Sequence, residues 1–147
     1  LEIKQIKMSL LKVTAISRDD RPFAKSILFD TADVVEPIIE NTLGQSLIKI
    51  REGNSYRRDQ NVDIRTYVVS ENIQAIIALS TDDIFVGTIE TRNGNSYPID
   101  RAVFIKSRIV GIVEEVEENK SEFKYEGISQ VSPDIYRISE NLDTIKD

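Results

Sequence analysis

The feature that most constrains the fold of this chain is an internal repeat. Tyr67-Val68-Val69-Ser70-Glu71-Asn72-Ile73, with Ile76 three residues on, returns as Tyr136-Arg137-Ile138-Ser139-Glu140-Asn141-Leu142, with Ile145 three residues on. A looser version reads Tyr97-Pro98-Ile99-Asp100-Arg101-Ala102-Val103, and Gly53-Asn54-Ser55-Tyr56 returns as Gly94-Asn95-Ser96-Tyr97. Each copy has one grammar: a strand enters a hairpin, the return strand starts at a tyrosine, and a polar-acidic turn follows. Ser70 and Ser139 stand where a helix N-cap would, with Glu71 and Glu140 next. A unit this short cannot bury its own apolar face, so the copies must pack on one another.

The rest of the pattern is extended. Ile6, Met8 and Leu10 alternate with polar residues, and the phase slips at Leu10-Leu11, as a β-bulge makes it do. Val62 to Val69, Ile73 to Leu79, Ile84 to Thr91 and Val103 to Val116 read as further strands. Arg18-Asp19-Asp20-Arg21-Pro22 and Ser132-Pro133-Asp134 read as turns. Asn93-Gly94 is the strongest hairpin signal, because both positions of a type I′ turn need positive φ. Gly87 inside a strand pattern points to a bulge or a close backbone approach. The expectation is an all-β chain, a β-barrel or two-sheet sandwich built from internally similar strand–hairpin–strand units. At most one short helix is expected, at about residues 33–41, where Asp33 can cap but Pro37 sits too late for the first turn. With 147 residues this is one domain, 1–147, or two small packed halves, 1–80 and 81–147.

Composition narrows the function. There is no cysteine and no histidine, which removes disulfides, thiolate chemistry and the usual general base near neutral pH. No phosphate-binding glycine loop, nucleophile elbow or zinc spacing is present. Asp19-Asp20 and Asp82-Asp83 lack the alternating ligands of a calcium loop. No catalytic residue, cofactor or metal site is therefore assigned, and the expectation is a protein that is not an enzyme. The net charge of −6 disfavours a dedicated nucleic-acid binder, and no apolar run is long enough to span a bilayer as a helix. Glu114 to Glu122 reads as a solvated acidic rim.

One basic cluster stands out against this acidity. Arg51, Tyr56, Arg57, Arg58 and Arg65 flank a single hairpin and form the candidate partner-binding site, since guanidinium forks grip carboxylates and phosphates. The alternative is a solvated hairpin whose arginines pair with Glu52, Asp59 and Asp63.

Over Ile84–Ile112, the run of strand, Asn-Gly hairpin, Tyr97-Pro98-Ile99 and acidic turn resembles the FlbD-like flagellar family and short SH3-like barrels. Those are adaptor modules, so the resemblance implies binding without an active site. In texture, with heavy Ile and Asn and no Cys or His, the chain resembles structural proteins of tailed-bacteriophage virions. The resulting expectation is a structural subunit of a multi-protein assembly: an auxiliary capsid, head–tail connector or tail protein. Its partners would be other subunits of that assembly, it would oligomerise, and it would reside in the virion. The alternative is a small cytoplasmic adaptor or regulator that binds a protein or nucleic acid through the arginine hairpin.

Overall fold

A computed structural model describes residues 10–52, 64–80, 84–92, 95–111, 114–117, 120–126 and 134–140. Among these described residues, ten strands form one antiparallel sheet. They are β1 (Leu10–Arg18), β2 (Arg21–Asp30), β3 (Ile38–Glu40), β4 (Ser46–Arg51), β5 (Ile64–Val69), β6 (Ile84–Arg92), β7 (Asn95–Ile105), β8 (Glu114–Glu117), β9 (Lys120–Tyr125) and β10 (Asp134–Ile138). Their spatial order is β2-β1-β5-β4-β3-β7-β6-β10-β9-β8. The all-β expectation holds, but the sheet stays open and does not close into a barrel, because β2 and β8 lie at opposite ends.

That order is one five-strand pattern written twice. β6, β7, β8, β9 and β10 repeat the neighbours of β1, β2, β3, β4 and β5. The register repeats as well. Ala15 faces Val69, Ser17 faces Val68 and Arg18 faces Tyr67; Ile89 faces Ile138, Thr91 faces Arg137 and Arg92 faces Tyr136. Each ladder skips one residue, Ile16 in one and Glu90 in the other. The 3-10 turn Thr31–Asp33 after β2 returns as Lys106–Arg108 after β7. Val34 then bridges Ile50, and Ile109 bridges Tyr125. The β1–β2 hairpin turns at Asp19 and Asp20, whose φ values of 51° and 63° make the paired positive-φ turn a right-twisted hairpin needs. Its counterpart closes with Arg92 opposite Asn95, where Asn93-Gly94 places it; those two residues lie outside the described ones.

The repeated Ser-Glu phrase explains how each unit is stitched. After Val69 the chain leaves the sheet, and the Ser70 amide donates to the Thr14 carbonyl at 2.9 Å. The Thr14 amide would then be left without a strand partner, and the Glu71 carboxylate accepts it at 2.8 Å. The buried Ser46 hydroxyl on β4 donates to the Glu71 carbonyl at 2.7 Å. The second unit makes the same three bonds. Ser139 N–H reaches the Thr88 carbonyl at 3.0 Å, Thr88 N–H reaches Glu140 Oε1 at 2.5 Å, and the buried Ser121 hydroxyl reaches the Glu140 carbonyl at 2.8 Å. A carboxylate thus stands in for a missing strand residue as the acceptor of a backbone donor, at an exposed position in the first unit and a part-buried one in the second.

Equivalent positions fill two separate cores, keeping Phe29 as Phe104 and Tyr67 as Tyr136 and changing the rest. Leu11, Phe29, Ile48, Ile50, Tyr67 and Val69 belong to the first cluster; Phe85, Phe104, Phe123, Tyr125, Tyr136 and Ile138 belong to the second. The second core is aromatic: Phe85 stacks on Phe104 at 4.8 Å, and Phe123, Tyr125 and Tyr136 meet Phe104 edge-on. Gly87 stands where Val13 does in the first unit. A Cβ there would come within 3.0 Å of Glu140 Oε1, against 3.4 Å for its nearest apolar neighbours on Ile138 and Phe104, so glycine makes room for the Glu140 carboxylate. The Tyr125 hydroxyl accepts the Ile105 amide at 3.0 Å, and burial pushes its pKa above the ordinary 10.0.

The units meet where β3 pairs with β7, Ile38 opposite Val103 and Ile39 opposite Ala102. Arg108 reinforces this joint from the second unit. Its guanidinium donates to the carbonyls of Val34 and Ala32, and to that of Thr31 at 3.3 Å. Among the described residues no helix is long and apolar enough to cross a membrane.

Several expectations need correction. The helix is not at residues 33–41: Thr31–Asp33 is a 3-10 turn, and Ile38–Glu40 is a strand. Val34, Val35, Ile38 and Ile39 are β-branched and Pro37 lacks a donor, so the segment extends. The α-helix is α1 (Ile73–Leu79), in a segment expected to be a strand. Asn72, not Ser70, is its cap, with Oδ1 accepting the Ala75 amide at 2.9 Å. Glu40 accepts the Ile73 amide at 2.9 Å, and Ile73 and Ile76 share the buried face. The bulge in β1 falls between Ala15 and Ser17; the slip expected at Leu10-Leu11 begins the described strand, and residues 1–9 lie outside it. Tyr97–Val103 lies in β7, which returns from the β6–β7 hairpin as expected but is the counterpart of β2, so it is not a third copy of the phrase at β5 and β10. Gly53 to Tyr56 lies outside the described residues.

Two measurements check this account. Glu140→Ala leaves the Thr88 amide without an acceptor and is expected to cost about 1–3 kcal/mol in urea unfolding, with Glu140→Gln recovering most of it. Equal costs for Ala and Gln would contradict the carboxylate's role as an acceptor. Asp20→Gly removes a left-handed non-glycine residue and is expected to add about 0.5–1 kcal/mol.

Candidate interaction site

The β1–β2 turn meets the first residues of β5 at the end of the β1–β5 ladder. Asp19 ties them. Its amide donates to the Thr66 carbonyl at 2.8 Å, and its Oδ1 accepts the Thr66 amide at 2.9 Å. Its Oδ2 pairs with Arg65 Nη1 at 2.8 Å. Positive φ at Asp19 is what lets one residue use both backbone and side chain in this way.

Beside this tie lies a cleft of about 390 Å³ lined by Arg18, Asp19, Arg21, Pro22, Phe23 and Arg65. The Arg18 guanidinium sits 4.6 Å above the Phe23 ring, and Phe23 meets Tyr67 edge-on at 5.8 Å. The Tyr67 hydroxyl donates to Glu52 Oε1 at 2.6 Å. Burial first, and then this bond to Glu52, push the tyrosine above its ordinary pKa of 10.0, while Arg18 pulls the other way. The cleft thus has an aromatic wall that positions one arginine and a carboxylate that positions another.

Of the residues expected to bind a partner, Arg65 lines the cleft. Arg51 ends β4 opposite Ile64 and is exposed. Tyr56, Arg57 and Arg58 lie outside the described residues. The partners assigned to the hairpin's arginines within its own loop also change. Arg65 pairs with Asp19 from the other hairpin, and Glu52 is engaged by Tyr67; Asp59 and Asp63 lie outside the described residues. Arg18, Arg21 and Phe23 also line the cleft, and the sequence marks Arg18 and Arg21 only as parts of a turn. Their signal was the Arg-Asp-Asp-Arg phrase, but joining it to Arg65 requires the long-range β1–β5 pairing.

Three guanidinium groups and one engaged carboxylate suit an incoming carboxylate or phosphate, which planar forks can hold bidentately. Among the described residues, the cleft lining offers no thiol, hydroxyl nucleophile or imidazole. Among the described residues, no three metal-ligating side chains gather; Asp82-Asp83 lies outside them. Comparison of the chain with protein-family models, curated proteins and solved structures finds no match.

The Thr66 amide and then Arg65 hold the Asp19 carboxyl below its ordinary 3.8. A depressed folded pKa means the tie contributes fully above pH 3.8 and is lost as pH falls through the lower folded value. Side-chain NMR titration is expected to show Asp19 ionising below 3.8, and Arg65→Gln is expected to move it only part of the way back, because the Thr66 amide remains. A midpoint at or above 3.8 in the unaltered protein would contradict the tie.

Proposed function

We propose that this chain is a non-enzymatic structural subunit of a multi-protein assembly, and that the cleft of Arg18, Arg21 and Arg65 is a contact for an acidic surface of a neighbouring subunit. The observation that carries this reading is the convergence of three arginines from two hairpins at an open, aromatic-walled tip. Such a tip can reach a neighbour, and arginine beside an aromatic ring is a frequent interface anchor. A cleft lined by guanidinium groups suits recognition of an anionic surface group.

Composition and texture support a bacteriophage virion component, resident in the particle as an auxiliary capsid, connector or tail protein. The same cleft also supports a second reading: a cytoplasmic adaptor or regulator that grips a protein or nucleic acid. Salt separates the two, because a contact with several phosphates weakens steeply as salt rises.

The test is recovery of the native complex by affinity capture of the full chain, followed by mass spectrometry of its intact partners. The expected result is co-purification with virion proteins at fixed stoichiometry, reduced tenfold or more by Arg18→Glu with Arg21→Glu. Recovery with nucleic acid or with a single regulatory partner would overturn the structural-subunit reading, and unchanged recovery by the double variant would remove the cleft from it.

A further inference from the structure

The two ends of the sheet are copies of a joint that the molecule already makes. β2 is the counterpart of β7, and β8 is the counterpart of β3. Inside the chain, β3 pairs with β7. Among the described residues, β2 and β8 each have a strand partner on one side only. A uniformly placed edge of unpaired backbone groups is a template for another strand. Here the missing strand is one that a second copy carries.

The surface next to β2 matches this reading. Val103 on β7 is 2% exposed because it packs into the first unit's core. Its counterpart on β2 is Leu28, which is 63% exposed. Ile84 packs against the same core; its counterpart, Leu10, is 50% exposed. Two leucines therefore lie open at the positions that the joint covers in the other unit. The edges also differ in charge. β2 carries Arg21, Lys25 and, at its far end, Asp30, a net charge of +1, and β8 is Glu114-Glu115-Val116-Glu117. Opposite signs on the two edges favour β2 meeting β8 over β2 meeting β2.

We infer that this chain associates head to tail with a second copy of itself, β2 of one molecule pairing antiparallel with β8 of the next. The internal joint sets the register. Ile39 faces Ala102 there; Glu114, which faces Glu122 on β9 as Ile39 faces Leu47 on β4, therefore faces Ile27 of the neighbour. Glu115 faces the neighbour's Ser26. The contact uses a different surface on each partner, so it builds chains or closed rings and does not stop at a symmetric pair. It is weaker than the joint within one molecule, because Lys12 and Asp33 stand where Val86 and Arg108 do. Association is therefore reversible and concentration-dependent. This inference deepens the proposed assembly role by naming one partner, and it does not depend on the arginine cleft.

The test is analytical ultracentrifugation of the full chain from micromolar to millimolar concentration, with one variant per edge. Leu28→Glu disables the β2 side, and Glu115→Pro disables the β8 side. Leu28 is exposed and β8 is terminal, so both variants keep the fold, checked by circular dichroism. The expected result is species beyond dimer for the unaltered chain, and monomers for each variant alone up to at least tenfold higher concentration. An equal mixture of the two variants is expected to form dimers only, since each supplies the edge the other lacks. A monomeric unaltered chain at millimolar concentration, or a mixture that stays monomeric, would overturn the inference. In either case, continued recovery with virion proteins would leave the proposed function standing, so the two failures are distinguishable.

Discussion

A glutamate side chain doing the work of a strand residue is the interaction on which this architecture depends. In each unit the chain must leave the sheet after the return strand, or the next element could not begin. Leaving exposes the amide of a threonine on the neighbouring strand. Glu71 and Glu140 satisfy those amides, and buried Ser46 and Ser121 hold the backbone of the same glutamates in place. The turn is thereby fixed to three strands at once. From it follow the skipped residue in the ladder, the place where α1 starts, and the space that Gly87 leaves for the Glu140 carboxylate.

Once two such units exist, their joining is a matter of edges. A five-strand pattern with the order β2-β1-β5-β4-β3 has two different edges, and stringing copies in series pairs one kind with the other. β3 and β7 make that pairing within the chain, and Arg108 fastens it by donating to carbonyls of the first unit's 3-10 turn. The same logic leaves one edge of each kind at the ends of the sheet. The open sheet is thus a consequence of serial duplication. The cleft at the β1–β2 turn comes from a separate local device, the positive-φ aspartate that ties this turn to β5 and positions Arg65.

Much of the fold was legible in the sequence because strand periodicity and turn chemistry are local. The repeat around Ser-Glu was visible for the same reason, and Glu71 and Glu140 make the same side-chain bond in both units. The extent of the duplication was not visible, because the core positions changed together, Leu11 to Phe85, Ile50 to Tyr125 and Val13 to Gly87, keeping the packing while erasing the identity. Residues 73–79 misled for a different reason. Isoleucine at that density suggests a strand, and only Asn72 and the spacing of Ile73 and Ile76 mark the helix. Arg65 was legible as a binding residue, but its neighbours Arg18 and Arg21 were not, since strand pairing across 46 residues brings Asp19 to Arg65.

The most direct test of the central claim is native-state hydrogen exchange of the Thr14 and Thr88 amides in the unaltered chain. If glutamate carboxylates complete the two ladders, both amides exchange slowly, with protection comparable to that of Ala15 and Ile89 beside them. Exchange of both at the rate of an exposed loop would contradict the carboxylate-for-strand substitution, and with it the equivalence of the two units.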